Sequence, residues 1–335
     1  MGLLALGMVE KMKKPYLTLV IPVYNEEDNL LELYQRLKKV LDDISKDYEI
    51  IFIDDGSIDN SFDLLKGLHN KDNNVKVLSF SRNFGHQIAI TAGLDFASGN
   101  NIIFMDADLQ DPPEIIPELL NKREEGNDVV YTIRKKRYGE TKFKLLTAHL
   151  YYSLINKLTG LNMPVNAGDF RLLSRRAADS LKKLQEQNRY IRGLTSWIGF
   201  HHTGIYYDRP PRYSGKTKYP LLKMLKFAID GITSFSHIPL RFATYFGLFI
   251  AIICFVYIVY VIILKITGGY LIRGWSSTII AILFIGSIQL ICLGIIGEYM
   301  GRIYDEEKKR PIYIIMESIG FEDNKKINKQ YNEGE

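Results

Sequence analysis

Residues 101–113 read Asn-Ile-Ile-Phe-Met-Asp-Ala-Asp-Leu-Gln-Asp-Pro-Pro. The apolar run from Asn101 to Met105 has the make-up of a buried strand, and it delivers two carboxylates, Asp106 and Asp108, one residue apart. Leu109, Gln110 and the Pro112-Pro113 pair then turn the chain away, since proline has no amide N–H to extend a sheet. Carboxylates at i and i+2 at the end of a strand can approach one divalent cation. A hard ion such as Mg²⁺ or Mn²⁺ also takes diphosphate oxygens from a nucleotide. An Asp-x-Asp standing alone is commonly a solvated loop, so its surroundings have to decide.

Those surroundings alternate strand and helix signals from residue 16 to 133. Leu17–Val23 is an apolar strand ending at Tyr24-Asn25-Glu26-Glu27. The helix after it has Asn25 or Asp28 as cap and Leu30, Leu31, Leu33, Leu37, Val40, Leu41 and Ile44 as its buried face. Tyr48–Ile53 is a second strand, ending in Asp54-Asp55-Gly56-Ser57, with a helix carrying Phe62, Leu64, Leu65 and Leu68 behind it. Val75–Phe80 is a third, ending in Ser81-Arg82-Asn83-Phe84-Gly85-His86, followed by a short helix to about Ala97. The Asp106 strand is fourth and Asp128–Ile133 fifth. A loop from Asn162 to Asp169 precedes a further short strand, Phe170–Leu173. This alternation predicts an α/β fold with a mostly parallel sheet covered on both faces. Ligands of such sheets bind beyond the carboxyl ends of the strands, which is where each of these polar clusters falls.

The 335 residues leave room for more than this domain. Phe242–Leu264 and Gly274–Gly297 carry no charge, and each is long enough to cross a bilayer core of about 30 Å. No convincing signal peptide precedes them: Gly2–Val9 is short, and its lysines follow rather than lead. Lys216, Lys218, Lys223, Lys226 and Arg241 flank the first span, and Arg302, Lys308, Lys309 and Arg310 follow the second. The loop between has only Lys265 and Arg273, so both termini are expected in the cytoplasm. The expected organisation is an extension (1–15), a catalytic domain (16–218), an amphipathic interfacial helix (219–240), a span (241–265) and an external loop (266–274). A second span (275–297), a juxtamembrane segment (298–318) and a disordered tail (319–335) complete it. The net charge of +5 suits an anionic leaflet and is too modest to argue for nucleic acid. With two cysteines, Cys254 and Cys292, both in the spans, a disulfide framework or zinc site is excluded. The spans also offer a surface for homo-oligomer formation.

Pro22-Val23-Tyr24-Asn25-Glu26, Asp54-Asp55-Gly56-Ser57, Arg82-Asn83-Phe84-Gly85 and Asp106-Ala107-Asp108 together resemble the nucleotide-sugar pocket of the GT-A fold in glycosyltransferase family 2. Asn166-Ala167-Gly168-Asp169-Phe170-Arg171, Arg192-Gly193-Leu194, Arg212-Tyr213-Ser214-Gly215-Lys216 and Gly297-Glu298-Tyr299-Met300-Gly301-Arg302 narrow the resemblance to the polyprenyl-phosphate glycosyltransferases. That group includes dolichyl-phosphate mannose synthases and bactoprenol glucosyltransferases. The Gln-x-x-Arg-Trp segment expected of processive polysaccharide synthases is absent.

The resemblance implies that Pro22, Tyr24, Glu26, Asp54, Asp55, Arg82 and Gly85 surround the nucleotide. It implies that Asp106 and Asp108 hold Mg²⁺ or Mn²⁺, with Gln110 either joining them or ordering the loop. Asp54 and Asp55 also suit a turn with Gly56. A lipid phosphate acceptor is already anionic near neutral pH and needs a cationic cradle more than a base. Arg134, Arg137, Arg212 and Lys218 are the candidates for it. Asp169 sits where the family places an active-site carboxylate, to orient sugar or acceptor or to act as a base; an N-cap or an ion pair with Arg171 is the plainer alternative. The histidines show no ligand spacing and receive no catalytic role. The expected activity is inverting transfer of a hexose, glucose foremost, from a UDP-sugar to undecaprenyl phosphate. Transfer to diacylglycerol, or an inactive membrane scaffold, are the rivals.

Overall fold

The computed structural model describes residues 14–44, 46–134, 167–208, 238–267 and 274–321. Residues 219–237 of the expected interfacial helix, Arg137, Arg212, Lys218 and the tail beyond residue 321 lie outside these residues.

The chain separates into two compact units. In the first, β1 (Leu17–Val23), β2 (Tyr48–Asp54), β3 (Val75–Phe80), β4 (Asn101–Phe104), β5 (Val129–Arg134), β6 (Ala167–Ser174), β7 (His202–Tyr207) and β8 (Ile315–Ile319) form one sheet. Its order is β7-β5-β6-β4-β1-β2-β3-β8. Six strands share one direction; β6 and β8 run against it. The helices α1 (Glu27–Ile44), α2 (Ser61–Lys71), α3 (His86–Phe96), α4 (Ile116–Glu124), α5 (Arg175–Lys182) and α6 (Ile191–Trp197) belong to the same unit.

Strands β1 to β4 are all but fully buried, as expected of a parallel sheet covered on both faces. One core runs through Leu19, Ile21, Leu33, Leu37, Phe52, Val77 and Ile103. Leu31, expected on the buried face of α1, is 48% exposed; Asn29 is buried instead, its amide donating to Glu26 Oε2 at 2.6 Å. Asn25 does not cap α1: it takes a positive φ and accepts from the Ile58 amide at 2.9 Å, tying the β1 loop to the β2 loop. Helix α3 lies so close to the sheet that a Cβ on Gly93 would come within 2.3 Å of Val20 Cγ1.

β1 pairs β2 on one side and β4 on the other, all parallel, so the chain reverses its winding there and opens a crevice beyond their carboxyl ends. β6 is antiparallel between β4 and β5, so its amino end arrives at that same edge. This strand lies between β4 and β5, and it corrects the sequence reading once: it starts at Ala167, so that Asp169 stands on the strand rather than in a preceding loop.

The second unit holds α7 (Ile238–Ile266) and α8 (Trp275–Glu307). Large apolar side chains stand exposed along both, among them Leu248, Phe255, Leu290 and Leu293. Among the described residues one helical stretch, Ile280–Glu307, is long and apolar enough to cross a membrane, and Ala243–Tyr257 is a shorter apolar one. Half-buried Cys292 lies 3.9 Å from the Ala243 carbonyl, a packing role for the thiol.

Candidate active site

The edge where β1 to β5 and β7 end and β6 begins carries the described candidates. At the end of β2 the two acids divide the work. Asp54 makes the turn, accepting from the Ser57 amide at 3.1 Å and from Ser79 Oγ at 2.9 Å. Asp55 instead clamps the loop after β3, accepting from the Phe84 amide at 2.6 Å and the Gly85 amide at 3.0 Å. Burial pushes the Asp55 carboxyl above its ordinary value, against the lowering effect of these N–H groups. Gly56, at φ +67°, lets the two loops touch: a Cβ there would lie 2.6 Å from the Arg82 carbonyl carbon.

Around this clamp, Pro22 is buried within β1, Tyr24 is 37% exposed, and Glu26 is half-buried with its amide donating to Ser61 Oγ at 3.0 Å. Arg82 is exposed, stacked over the Phe84 ring and donating to the Asn83 carbonyl. Gly85, at φ +105°, opens α3 and places His86 on its first turn.

At the end of β4, Asp108 is buried and accepts from the Gln110 amide at 3.2 Å, while Leu109 takes a positive φ to make that turn. Asp111 braces the loop from below, accepting from the Asp106 amide at 3.3 Å and from Tyr207 Oη at 3.0 Å. Asp106 keeps 27% of its side chain exposed.

His86 is the residue the sequence reading missed. Its Nε2 lies 3.3 Å from Asp106 Oδ1 and 3.7 Å from Asp169 Oδ2, joining β4, β6 and α3. Burial of the ring opposes its charge, but Asp106 and Asp169 outweigh burial and push it up to about 9. Three residues from three separate elements meet here, so no sequence spacing could have announced it.

Asp169 pairs with Arg192 of α6, not with Arg171: Nε donates to Oδ1 at 2.7 Å and Nη2 to Oδ2 at 2.8 Å, a bidentate fork. Burial would raise this carboxyl, but Arg192 and His86 hold it well below the usual carboxylate range. Arg171 is buried and turned elsewhere, donating to the Gly168 carbonyl and to Thr195 Oγ1. The register explains the meeting of the two acids. Phe104 pairs with Arg171, so continuing both strands two residues brings Asp106 opposite Asp169.

Arg134 closes the group at the end of β5. Its guanidinium lies beside Gly168, within 3.5 Å of where a Cβ there would be. Among the described residues its buried Nε has no hydrogen-bond partner. Burial works against the charge, yet Tyr207 and Asp111 raise it further. A half-buried cation with this donor unused among the described residues suits an incoming anion.

Asp106 and Asp108 present hard oxygen donors, and among the described residues no group of three or more His, Cys, Asp or Glu side chains could hold a metal. That donor set fits Mg²⁺ or Mn²⁺ completed by phosphate oxygens, not a closed structural site.

Residues 18–182 match the glycosyl transferase family 2 profile, and residues 238–303 match that of the GtrB C-terminal hairpin. An uncharacterized glycosyltransferase, YkcC of Bacillus subtilis, is 50% identical over 94% of this chain and 97% of its own. An SfII prophage-derived bactoprenol glucosyl transferase of Shigella flexneri is 42% identical over 90% of this chain and 98% of its own. Among solved structures, glucosyl-3-phosphoglycerate synthase from Mycobacterium tuberculosis is similar over 65% of this chain and 78% of that one. It has 17% identity and a TM-score of 0.46.

Proposed function

The chain belongs to glycosyl transferase family 2, and from that premise we propose that it moves one hexosyl group from a UDP-sugar to a polyprenyl phosphate. UDP-glucose is the leading donor and undecaprenyl phosphate the leading acceptor. The observation that carries this reading is the convergence of Asp106, His86, Asp169 and Arg192 at one sheet edge, with Arg134 at the end of β5. Relatives named for bactoprenol glucosyl transfer support the acceptor class.

In this reading the donor lies over the crevice between the ends of β1 and β4, with its base and ribose near Tyr24, Glu26 and the Asp55-clamped loop. A divalent cation held by Asp106 and Asp108, with Gln110 beside them, would offset the diphosphate charge as UDP leaves. Arg134, with Arg137, Arg212 and Lys218 from outside the described residues, binds the acceptor phosphate. A phosphate oxygen attacks the anomeric carbon, the bond from that carbon to the diphosphate oxygen breaks, and configuration inverts. No general base is required because the phosphate arrives ionised. Asp169, pinned by Arg192, orients sugar or acceptor as a fixed carboxylate.

The exposed apolar belts of α7 and α8 support a second element of the reading: two spans, with the sheet domain and both termini on the cytoplasmic side. A cysteine introduced as Gly269→Cys should then react with an impermeant maleimide in intact cells, and one introduced as Asn328→Cys only after lysis. Radiolabelled UDP-sugars offered with defined lipids test the chemistry. Label is expected on polyprenyl phosphate; label on diacylglycerol instead would overturn the acceptor assignment.

A further inference from the structure

The segment that follows α8 packs beside the loop after β3, and no local sequence pattern announces it. Tyr313 comes six positions after the last residue of α8 and is 2% exposed. Its ring stacks on Phe80 at 5.3 Å with an interplanar angle of 17°, and its hydroxyl donates to Asp95 Oδ2 on α3 at 3.0 Å. Phe80 in turn meets Phe84 edge-on at 5.6 Å. Phe84 is the residue whose amide donates to Asp55, and Gly85 and His86 follow it directly.

The backbone continues the contact. The Ser81 amide donates to the Ile314 carbonyl at 3.0 Å, one residue beyond the β3–β8 ladder. That ladder shifts register between Ser79 and Phe80, where Met316 is the extra residue and points outward, 63% exposed. The bulge places Ile315 opposite Phe80, and the chain before it runs past the start of the Ser81–His86 loop. At the other end of the segment Phe321 meets Phe96 of α3 at 5.2 Å. Strand β8 and its flanks therefore grip both β3 and α3, the two elements that anchor the loop.

We propose that Tyr313 is a positioning residue for the donor side, holding the Ser81–His86 loop in place through Phe80 and Phe84. This rests on the donor reading given above. Its consequence is that the segment joining the membrane hairpin to the tail is a working part of the nucleotide pocket. Without the Tyr313 ring, Phe80 and Phe84 lose their backing, the amides of Phe84 and Gly85 leave Asp55 more often, and a donor must pay for re-forming the loop. Aromatic pairing of this kind corresponds to roughly 3- to 10-fold in an equilibrium.

The test uses the full-length protein in detergent or native membrane. Tyr313→Ala is expected to speed hydrogen exchange at the Phe84 and Gly85 amides. It should raise the KM for UDP-sugar by roughly 3- to 10-fold, while kcat at saturating donor and the acceptor KM stay unchanged. Tyr313→Phe, which keeps the ring face and loses only the Asp95 contact, should restore both readouts nearly to wild type. If Tyr313→Ala fails to accumulate, Tyr313→Leu removes the ring face while keeping apolar volume. Unchanged exchange in the loop, or a fall in kcat with donor KM intact, would overturn the proposal. The exchange measurement needs no donor, so it still decides the point if the wild-type protein turns over no UDP-sugar, an outcome that would count against the functional reading alone.

Discussion

The end of β2 and the end of β4 each present acids to the same edge; Asp108 is buried and bonded to a backbone amide like the β2 pair, but Asp106 is treated differently. At β2, Asp54 and Asp55 take hydrogen bonds from the Ser57, Phe84 and Gly85 amides and from Ser79 Oγ, and both are almost fully buried. They fix loops. At β4, Asp106 stays partly exposed and faces a histidine and a second acid, Asp169, brought by an antiparallel strand. A carboxylate surrounded by backbone N–H groups is committed to structure; one set among titratable side chains at an open edge is available for chemistry. The difference lies in what each strand end meets across the sheet.

The largest effects should come from β4. Asp106→Asn and Asp108→Asn preserve shape and remove charge, so turnover should fall by at least ~10²-fold, and chelation with EDTA should silence the wild-type protein. Full activity of either variant, measured as UDP release, would move the chemistry away from this strand end. Asp169→Asn comes next. It should abolish transfer while calorimetric UDP affinity is retained, because its two short hydrogen bonds come from Arg192 on α6 rather than from a donor loop, His86 standing farther off at 3.7 Å. Because the Asp169 carboxyl is held below its ordinary range, its ion pair stabilises the fold above pH ~4 and is lost on acidification, so this variant should also flatten the acid limb of the stability curve.

Asp55→Asn should act through binding alone, weakening UDP by roughly 10-fold with little change in kcat, as expected for losing a charge-assisted clamp. The smallest effect concerns His86 in the metal-free protein. Its folded value of about 9 lies above the ordinary 6.5, so its interaction with Asp106 and Asp169 is complete below pH 6.5 and disappears as pH climbs through 9. Wild-type thermal stability measured in EDTA should fall across that window, and His86→Gln should remove the fall.

Much of the first half of the chain was legible in its sequence, because buried parallel strands leave continuous apolar runs. Leu17–Val23 and Val75–Phe80 have the bounds the sequence predicts. The carboxyl-end rule also put Asp55 and Asp106 at the carboxyl edge of the sheet, where the structure has them. What escaped was long-range. β7, with its polar and half-exposed residues, carries no apolar run, and β8 follows a long apolar helix and borrows its order from β3. His86 and Arg192 acquire their partners only through the antiparallel insertion of β6, an event recorded in pairing rather than in any local pattern. The family resemblance points to Asp169, and its pairing with Arg192 rather than Arg171 goes with Arg171 being buried against Gly168 and Thr195.

Binding of Mn²⁺ in the presence of UDP, read from the loss of the free-ion paramagnetic signal, tests the contrast between the two strand ends most directly. The account predicts that Asp106→Asn and Asp108→Asn abolish the bound fraction, whereas Asp55→Asn retains it once UDP is raised to saturation. Metal binding that survives in both β4 variants and vanishes with Asp55→Asn would contradict it.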